Sequence, residues 1–236
     1  MLVLPLAALL SAAPLAPDVW STRVCPPARG EPSSNVEMKF KEQQRAECLR
    51  KAMNKALDRV LLPLKKSRPE AFKAWMDLQA DYNRWLSESC AAVEEVLWVD
   101  LSSGERSMGT GYGFTESQCL QRQYAWRGWY ADAWARGERD PRQALPGLES
   151  SAAGARRAWT AYRDQVRHAA SRAPVQVAGS SLPTRQLTRE DWAPYEQRLE
   201  RVLSGPDALA PRQCALAPPP AGDCPRSFAE SLFVQL

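Results

Sequence analysis

Histidine is almost absent: His168 is the only one in 236 residues. A catalytic triad needs an imidazole beside its nucleophile, and a histidine-based zinc site needs several, so neither is expected to underlie an activity. The glycine-rich stretch Leu101 to Phe114 lacks the Lys-Ser/Thr pair of a phosphate loop, and no nucleotide site is read there. Glu94 and Glu95 are adjacent on a helical stretch and so point about 100° apart. That suits two carboxylates flanking one scissile bond poorly, and both are read as solvated surface. This inventory predicts a non-catalytic protein with no cofactor, no metal and no nucleic-acid partner.

Long apolar runs are also missing, since a membrane-spanning helix needs roughly 20 consecutive apolar residues. Met1 to Ala16 is uncharged, rich in Leu and Ala, and ends in small residues before meeting proline. It reads as an export signal, although no Lys or Arg precedes its apolar run. Ser21 to Val24, just before Cys25, do not resemble the small apolar run that precedes a lipid-anchored cysteine. Residues 17–37 then form an N-terminal extension, and the expected location is the periplasm or the medium.

What the chain does contain is a 44% hydrophobic composition, ample for a packed core, with 19 prolines concentrated at the ends and in connections. Its six cysteines suit an oxidising compartment. Cys90 and Cys119 end one long helix and begin another across the glycine-rich loop, which makes them expected partners. Cys214 and Cys224 bracket a proline-rich stretch and can close a small loop. Cys25 and Cys48 remain for each other, unless Cys48 is a buried free thiol.

Met38 to Leu64 carries Phe40, Cys48, Ala52, Ala56, Val60 and Leu64 at helical spacing, with Pro63 expected to stop the helix. Ser67 to Glu70 reads as a capping box that launches a stripe of Phe72, Trp75, Gln79, Tyr82, Leu86, Cys90, Val93 and Leu97. Thr115 to Gln118 reads as a second capping box, opening a helix with Trp126, Trp129 and Tyr130, and Gly137 to Gly147 looks like a boundary. Beyond it, Ala158 to Val166 is predicted helical and Ala178 to Ser181 a loop. Thr188 to Asp191 is expected to cap a helix whose inward stripe is Trp192, Tyr195, Leu199 and Val202. No regular structure is predicted after Gly205-Pro206. The expected architecture is all-α: long antiparallel helices in a disulfide-stapled bundle, arranged as two related halves. The tryptophans and tyrosines on the inward stripes are read as core rather than as a stacking platform for sugars.

Residues 36–134 resemble the LprI-type lysozyme inhibitor domain, an all-helical module of bacterial envelope proteins. Gln79, Tyr82, Trp85 and Cys90 stand at the spacing of that family's second-helix motif, with Cys48 ahead of it and Cys119 beyond a glycine-rich loop. The motif's Arg-Asp pair is replaced by Leu86 and Ser87, and a similar string recurs at Trp159, Tyr162, Arg163 and Asp164, as in a decayed second copy. Arg163 and Asp164 are expected to form a surface pair. The resemblance implies an LprI-like domain over 38–136, a second helical half over 148–204 and a proline-rich tail over 205–236. It also implies a protein partner of the lysozyme type.

Charge adds to that expectation. The chain is +4 overall, yet Ser87 to Arg106 sets five acids, Glu88, Glu94, Glu95, Asp100 and Glu105, against Arg106, a net of −4. Such a cluster beside an exposed loop would steer a basic hydrolase. Glu95, Asp100, Glu105 and Tyr112 are therefore the expected contacts, occluding a muramidase cleft. The alternative is a scaffold that contacts peptidoglycan or another envelope protein through Lys39, Lys41, Arg45 and Lys51.

Overall fold

The computed structural model describes residues 16–107, 109–137, 148–173, 184–216 and 224–234. The export-signal reading of Met1 to Ala16, the boundary at Gly137 to Gly147 and the loop at Ala178 to Ser181 fall wholly or almost wholly outside them. The helices are α1 (Ala16–Val24), α2 (Asn35–Ser67), α3 (Pro69–Val96), α4 (Phe114–Ala135), α5 (Leu148–Arg172), α6 (Arg189–Leu216) and α7 (Cys224–Val234). One small antiparallel sheet joins β1 (Val99–Asp100), β2 (Glu105–Ser107) and β3 (Thr184–Gln186) in that order.

α2 starts at an N-cap, Ser34, whose hydroxyl accepts from the Glu37 amide at 3.2 Å. It does not stop at Pro63 as expected. The helix runs through that exposed proline to Ser67, because buried Leu61 and half-buried Leu64 keep its last turns on the bundle. Pro69 ends it, by holding Arg68 in an extended conformation (φ −148°). The Ser67 capping box is likewise not formed. Ser67 still belongs to α2 and donates to the Pro63 carbonyl at 2.9 Å, while α3 opens on Pro69 without a side-chain cap.

α4 also starts differently. Its N-cap is Gly113, at φ +88°, a left-handed conformation that strains any residue with a Cβ, so Thr115 caps nothing. The cap comes from another helix. The Glu94 carboxylate accepts from the Gly113 amide at 2.7 Å and the Glu116 amide at 2.8 Å, and from the Trp98 indole at 2.5 Å. Glu94 is 1% exposed, so the solvated-surface reading of this residue is wrong. By contrast, the Thr188 box forms as expected: the Asp191 carboxylate accepts from the Thr188 amide at 2.9 Å and the Asp191 amide donates back to the Thr188 hydroxyl at 3.4 Å.

Cross-helix pairs fix the directions. Arg45 meets Gln121 and Arg59 meets Asp132, so α2 and α4 run parallel. Tyr82 meets Gln123 and Cys90 meets Cys119, so α3 runs antiparallel to α4. Glu88 meets Arg201 and Asp81 meets Arg212, which sets α6 antiparallel to α3 on its other flank. This two-sided burial explains why Trp85, off the main stripe, is only 5% exposed. Its ring enters a slot at Gly205 of α6 and its indole donates to the Val202 carbonyl at 3.3 Å. A Cβ at Gly205 would lie 2.0 Å from Trp85 Cδ1. Gly205→Ala is therefore expected to cost about 1–3 kcal/mol through overpacking, read as a lower urea midpoint at unchanged slope. An unchanged midpoint would show the slot to be slack.

The predicted unstructured tail after Gly205 is corrected most strongly. α6 continues through Pro206 and Pro211 to Leu216, and α7 follows. Leu209, Ala210, Phe228, Ala229 and Leu232 are buried in one core with Leu49, Met53, Trp75, Tyr82 and Trp126. A second core gathers Val166, Trp192, Tyr195, Leu199 and Val202, and takes Ala92 and Val99 from the first half. The two halves thus interlock. Three disulfides, Cys25–Cys48, Cys90–Cys119 and Cys214–Cys224, staple the bundle, and all six cysteines are paired. The free-thiol alternative for Cys48 falls away.

Candidate functional site

The expected contact residues lie at the end of the bundle where α3 finishes and α4 begins. The stretch after α3 is no featureless loop: β1 and β2 form a hairpin, and β3, 77 residues beyond β2 by the numbering of its first partner, adds a third strand (Ser107 opposite Thr184). Gly104, at φ +70°, makes the hairpin turn, and its amide donates to the Asp100 carbonyl at 2.8 Å. On the far side Leu187 donates to the Gly104 carbonyl at 2.8 Å, tying the turn to the second half.

Asp100 and Glu105 are directly opposite each other across β1 and β2, and both are exposed. Opposed residues in an antiparallel pair leave the sheet on the same side, so two carboxylates share one face of the turn. Like charges in that relation are unfavourable. Asp100 is held by the Ser102 amide (2.8 Å), the Ser102 hydroxyl (2.7 Å) and the Ser103 hydroxyl (2.9 Å). Those bonds, the Ser102 side chain first, bring its pKa down to about 2, so it stays ionised at any physiological pH. Glu105 has no such support.

Glu95 and Tyr112 are placed otherwise. Glu95 is 7% exposed and forms an ion pair with Arg106. The Tyr112 hydroxyl donates to Glu95 at 3.0 Å and accepts from Arg106 at 3.1 Å, while its half-buried ring packs on Trp98 at 5.8 Å. Glu95 is therefore not solvated surface: it is buried beneath the returning loop and reaches solvent only at the wall of a cleft shared with the start of α6. Burial, then the Glu95 charge, pushes the Tyr112 hydroxyl's pKa up and keeps it a neutral donor.

The acidic cluster read along the chain is largely answered in space. Glu88 pairs with Arg201 at 2.6 Å, Glu95 with Arg106, and Glu94 with backbone amides. Among the described residues no cation pairs with Asp100, which Ser102 and Ser103 hold, or with Glu105. Arg106, Arg185 and Arg198 line a cleft of about 240 Å³ beside this turn, together with Glu95, Asp191 and Tyr195. No spacing in the sequence announces that cleft, since its walls come from segments about 80 residues apart. Tyr195 and Tyr162 share a 2.5 Å hydrogen bond there, and burial raises both hydroxyls' pKa values.

The other singled-out residues are structural. Trp75, Tyr82, Trp85, Trp126 and Trp129 are all buried, as expected of core. Gln79 accepts from buried Arg127, and Arg163 binds Asp164 at 2.8 Å on the surface. The basic face proposed for cell-wall contact is broken up: Lys41 pairs with Glu37, Lys51 with Glu47, and Arg45 turns inward to Gln121. His168 is exposed on α5, and among the described residues no three His, Cys, Asp or Glu side chains come together as a metal site would require.

No family model, curated protein or solved structure matches this chain. The resemblance to LprI-type inhibitors accordingly rests on the motif residues alone; Gln79, Tyr82, Trp85, Cys90 and Cys119 are buried, and Cys48 lies at the surface in its disulfide.

Proposed function

We propose that the protein is an exported, non-catalytic binding module of the lysozyme-inhibitor type, which presents the Asp100–Glu105 turn to the cleft of a basic muramidase. The observation that carries this reading is the cross-strand register of the two carboxylates. A fold that sets like charges opposite each other accepts a local cost that a cationic partner would relieve. Two further features support it. Three disulfides fit an oxidising compartment, and among the described residues no helix is long and apolar enough to cross a membrane. Exposed Val36, Phe40, Val96 and Leu97 also fall at this end of the bundle, since α2 begins where α3 ends, and they give a partner apolar area beside the charges.

The test is the initial rate of lysozyme acting on cell walls, with and without the oxidised protein, at low and moderate salt. Wild type is expected to slow the reaction, less so as salt rises. Asp100→Asn with Glu105→Lys is expected to weaken inhibition by about tenfold or more, mainly through slower association. Unchanged lysozyme rates with wild type at both salt concentrations would overturn the proposal.

A further inference from the structure

A groove of about 360 Å³ lies between the parallel helices α2 and α4, and neither Asp100 nor Glu105 lines it. Its volume is in the range of small-molecule sites. α2 contributes Lys39, Gln43, Glu47 and Arg50, which recur at helical spacing on one face; α4 contributes Glu116, Leu120 and Tyr124; Tyr112 and Gly113 close one end. From Lys39 to Arg50 the groove runs ~16 Å at 1.5 Å per residue.

Its lining carries two cations and two anions, so it selects neither an anion nor a cation. Glu47 and Arg50 satisfy each other at 2.7 Å. Lys39 and Glu116 do not: among the described residues no hydrogen bond or ion pair engages the Lys39 ammonium, the Glu116 carboxylate, the Gln43 amide or the Tyr124 hydroxyl. Lys39 is moreover held where the positive end of α4 opposes it, its Nζ 3.1 Å from where a Cβ on Gly113 would stand. Lys39 and Glu116 act on each other through charge alone, and a donor and an acceptor without hydrogen-bond partners, with a neutral amide and a phenol along the same wall, are the complement of a ligand whose groups both donate and accept. Sugar hydroxyls do so. Tyr124, half-buried against the core, and Tyr112, whose ring packs on Trp98, line the two ends of the groove, where an aromatic edge can meet the apolar face of a sugar ring.

From this we infer that the α2–α4 groove binds a neutral oligosaccharide, with Lys39 and Glu116 reading adjacent hydroxyls and Tyr124 supporting a ring. The inference goes beyond the proposed inhibition and does not depend on it, because it uses neither Asp100 nor Glu105.

Calorimetric titration of the full-length oxidised protein with triacetylchitotriose, and separately with maltotriose, tests it. Saturable binding of at least one trisaccharide is expected. Tyr124→Ala should weaken it by about tenfold or more, in the manner of an aromatic anchor. Gln43→Ala, at an exposed helix position where folding is not at stake, should weaken it by several fold. Absence of binding by both trisaccharides, or binding indifferent to Gln43→Ala and to a folded Tyr124→Ala, would overturn the inference. The Asp100→Asn, Glu105→Lys variant should keep wild-type sugar affinity, so loss of inhibition and loss of this site are told apart.

Discussion

Gln79→Leu is expected to destabilise the protein by about 2–4 kcal/mol, because it leaves a buried guanidinium without its main acceptor. Arg127 is 1% exposed, and no carboxylate pairs with it among the described residues. Its Nε and Nη2 donate to Gln79 Oε1 at 3.3 and 3.1 Å, and Nη1 donates to Gln213 Oε1 at 2.8 Å. The rest of its environment is aromatic: Tyr82 lies 4.8 Å from the guanidinium carbon, and Trp75 and Phe228 lie 5.9 Å away. Burial draws the Arg127 pKa down, which records the strain of holding a cation there. The companion variant Gln79→Leu with Arg127→Met removes both the donor and its acceptor, and should recover most of the loss. Urea unfolding of the single and double variants checks this. A single variant within about 0.5 kcal/mol of wild type would mean that Gln213 and the rings suffice.

The second large effect is expected at Phe228, where truncation to alanine should cost about 3–5 kcal/mol. This residue lies in the segment read from sequence as an unstructured tail, yet it is 1% exposed and its ring meets Tyr130 edge-on at 6.1 Å. Leu232 beside it is fully buried. Ending the chain after Leu216 should accordingly abolish cooperative unfolding altogether, since the first core would lose an entire wall. Calorimetry of the shortened chain checks this directly. A fragment spanning 16–137 that melted cooperatively alone would instead restore the view that the first half is an independent domain.

These two expectations show which parts of the molecule could be read from the sequence. The stripes of α3 and α6 were legible because burial on one face imposes a period, and Trp75, Tyr82, Trp192 and Leu199 are buried as that period requires, although Leu97 at the end of α3 is exposed. The α2 stripe was misplaced: Phe40 and Cys48 are exposed, and Leu49, Met53, Leu57 and Leu61 take the buried face beside Ala56. Of the cysteine pairs, Cys90–Cys119 followed from positions at helix ends and Cys214–Cys224 from a short bracketed stretch, whereas Cys25–Cys48 was reached only as the pair left over. The tail was not legible: Pro206 and Pro211 argue locally against a helix, and only packing against α3 and α7 overrides them. Two capping boxes failed for the same reason. Ser67 is claimed by the preceding helix, and Thr115 is displaced by Glu94, whose position relative to Gly113 is set only once α3 and α4 lie side by side. Within the candidate site, Asp100 and Glu105 were found by charge, whereas which acid each arginine answers was not: Arg106 stood in the same stretch as Glu95 but meets it only once the hairpin folds back, and other arginines lie far off in the chain. Arg201 is the clearest example, 113 positions from Glu88.

The placement of α7 also bears on how the molecule is made. A chain emerges from the ribosome in order, and segments whose partners are already present can settle first. Here the core among the leading helices is completed only when Phe228 and Leu232, far downstream of their partners, have been made. The leading helices therefore lack part of their core until α7 has emerged. Oxidation should follow the same sequence, with Cys25–Cys48 and Cys90–Cys119 free to close early and Cys214–Cys224 locking the last piece in place.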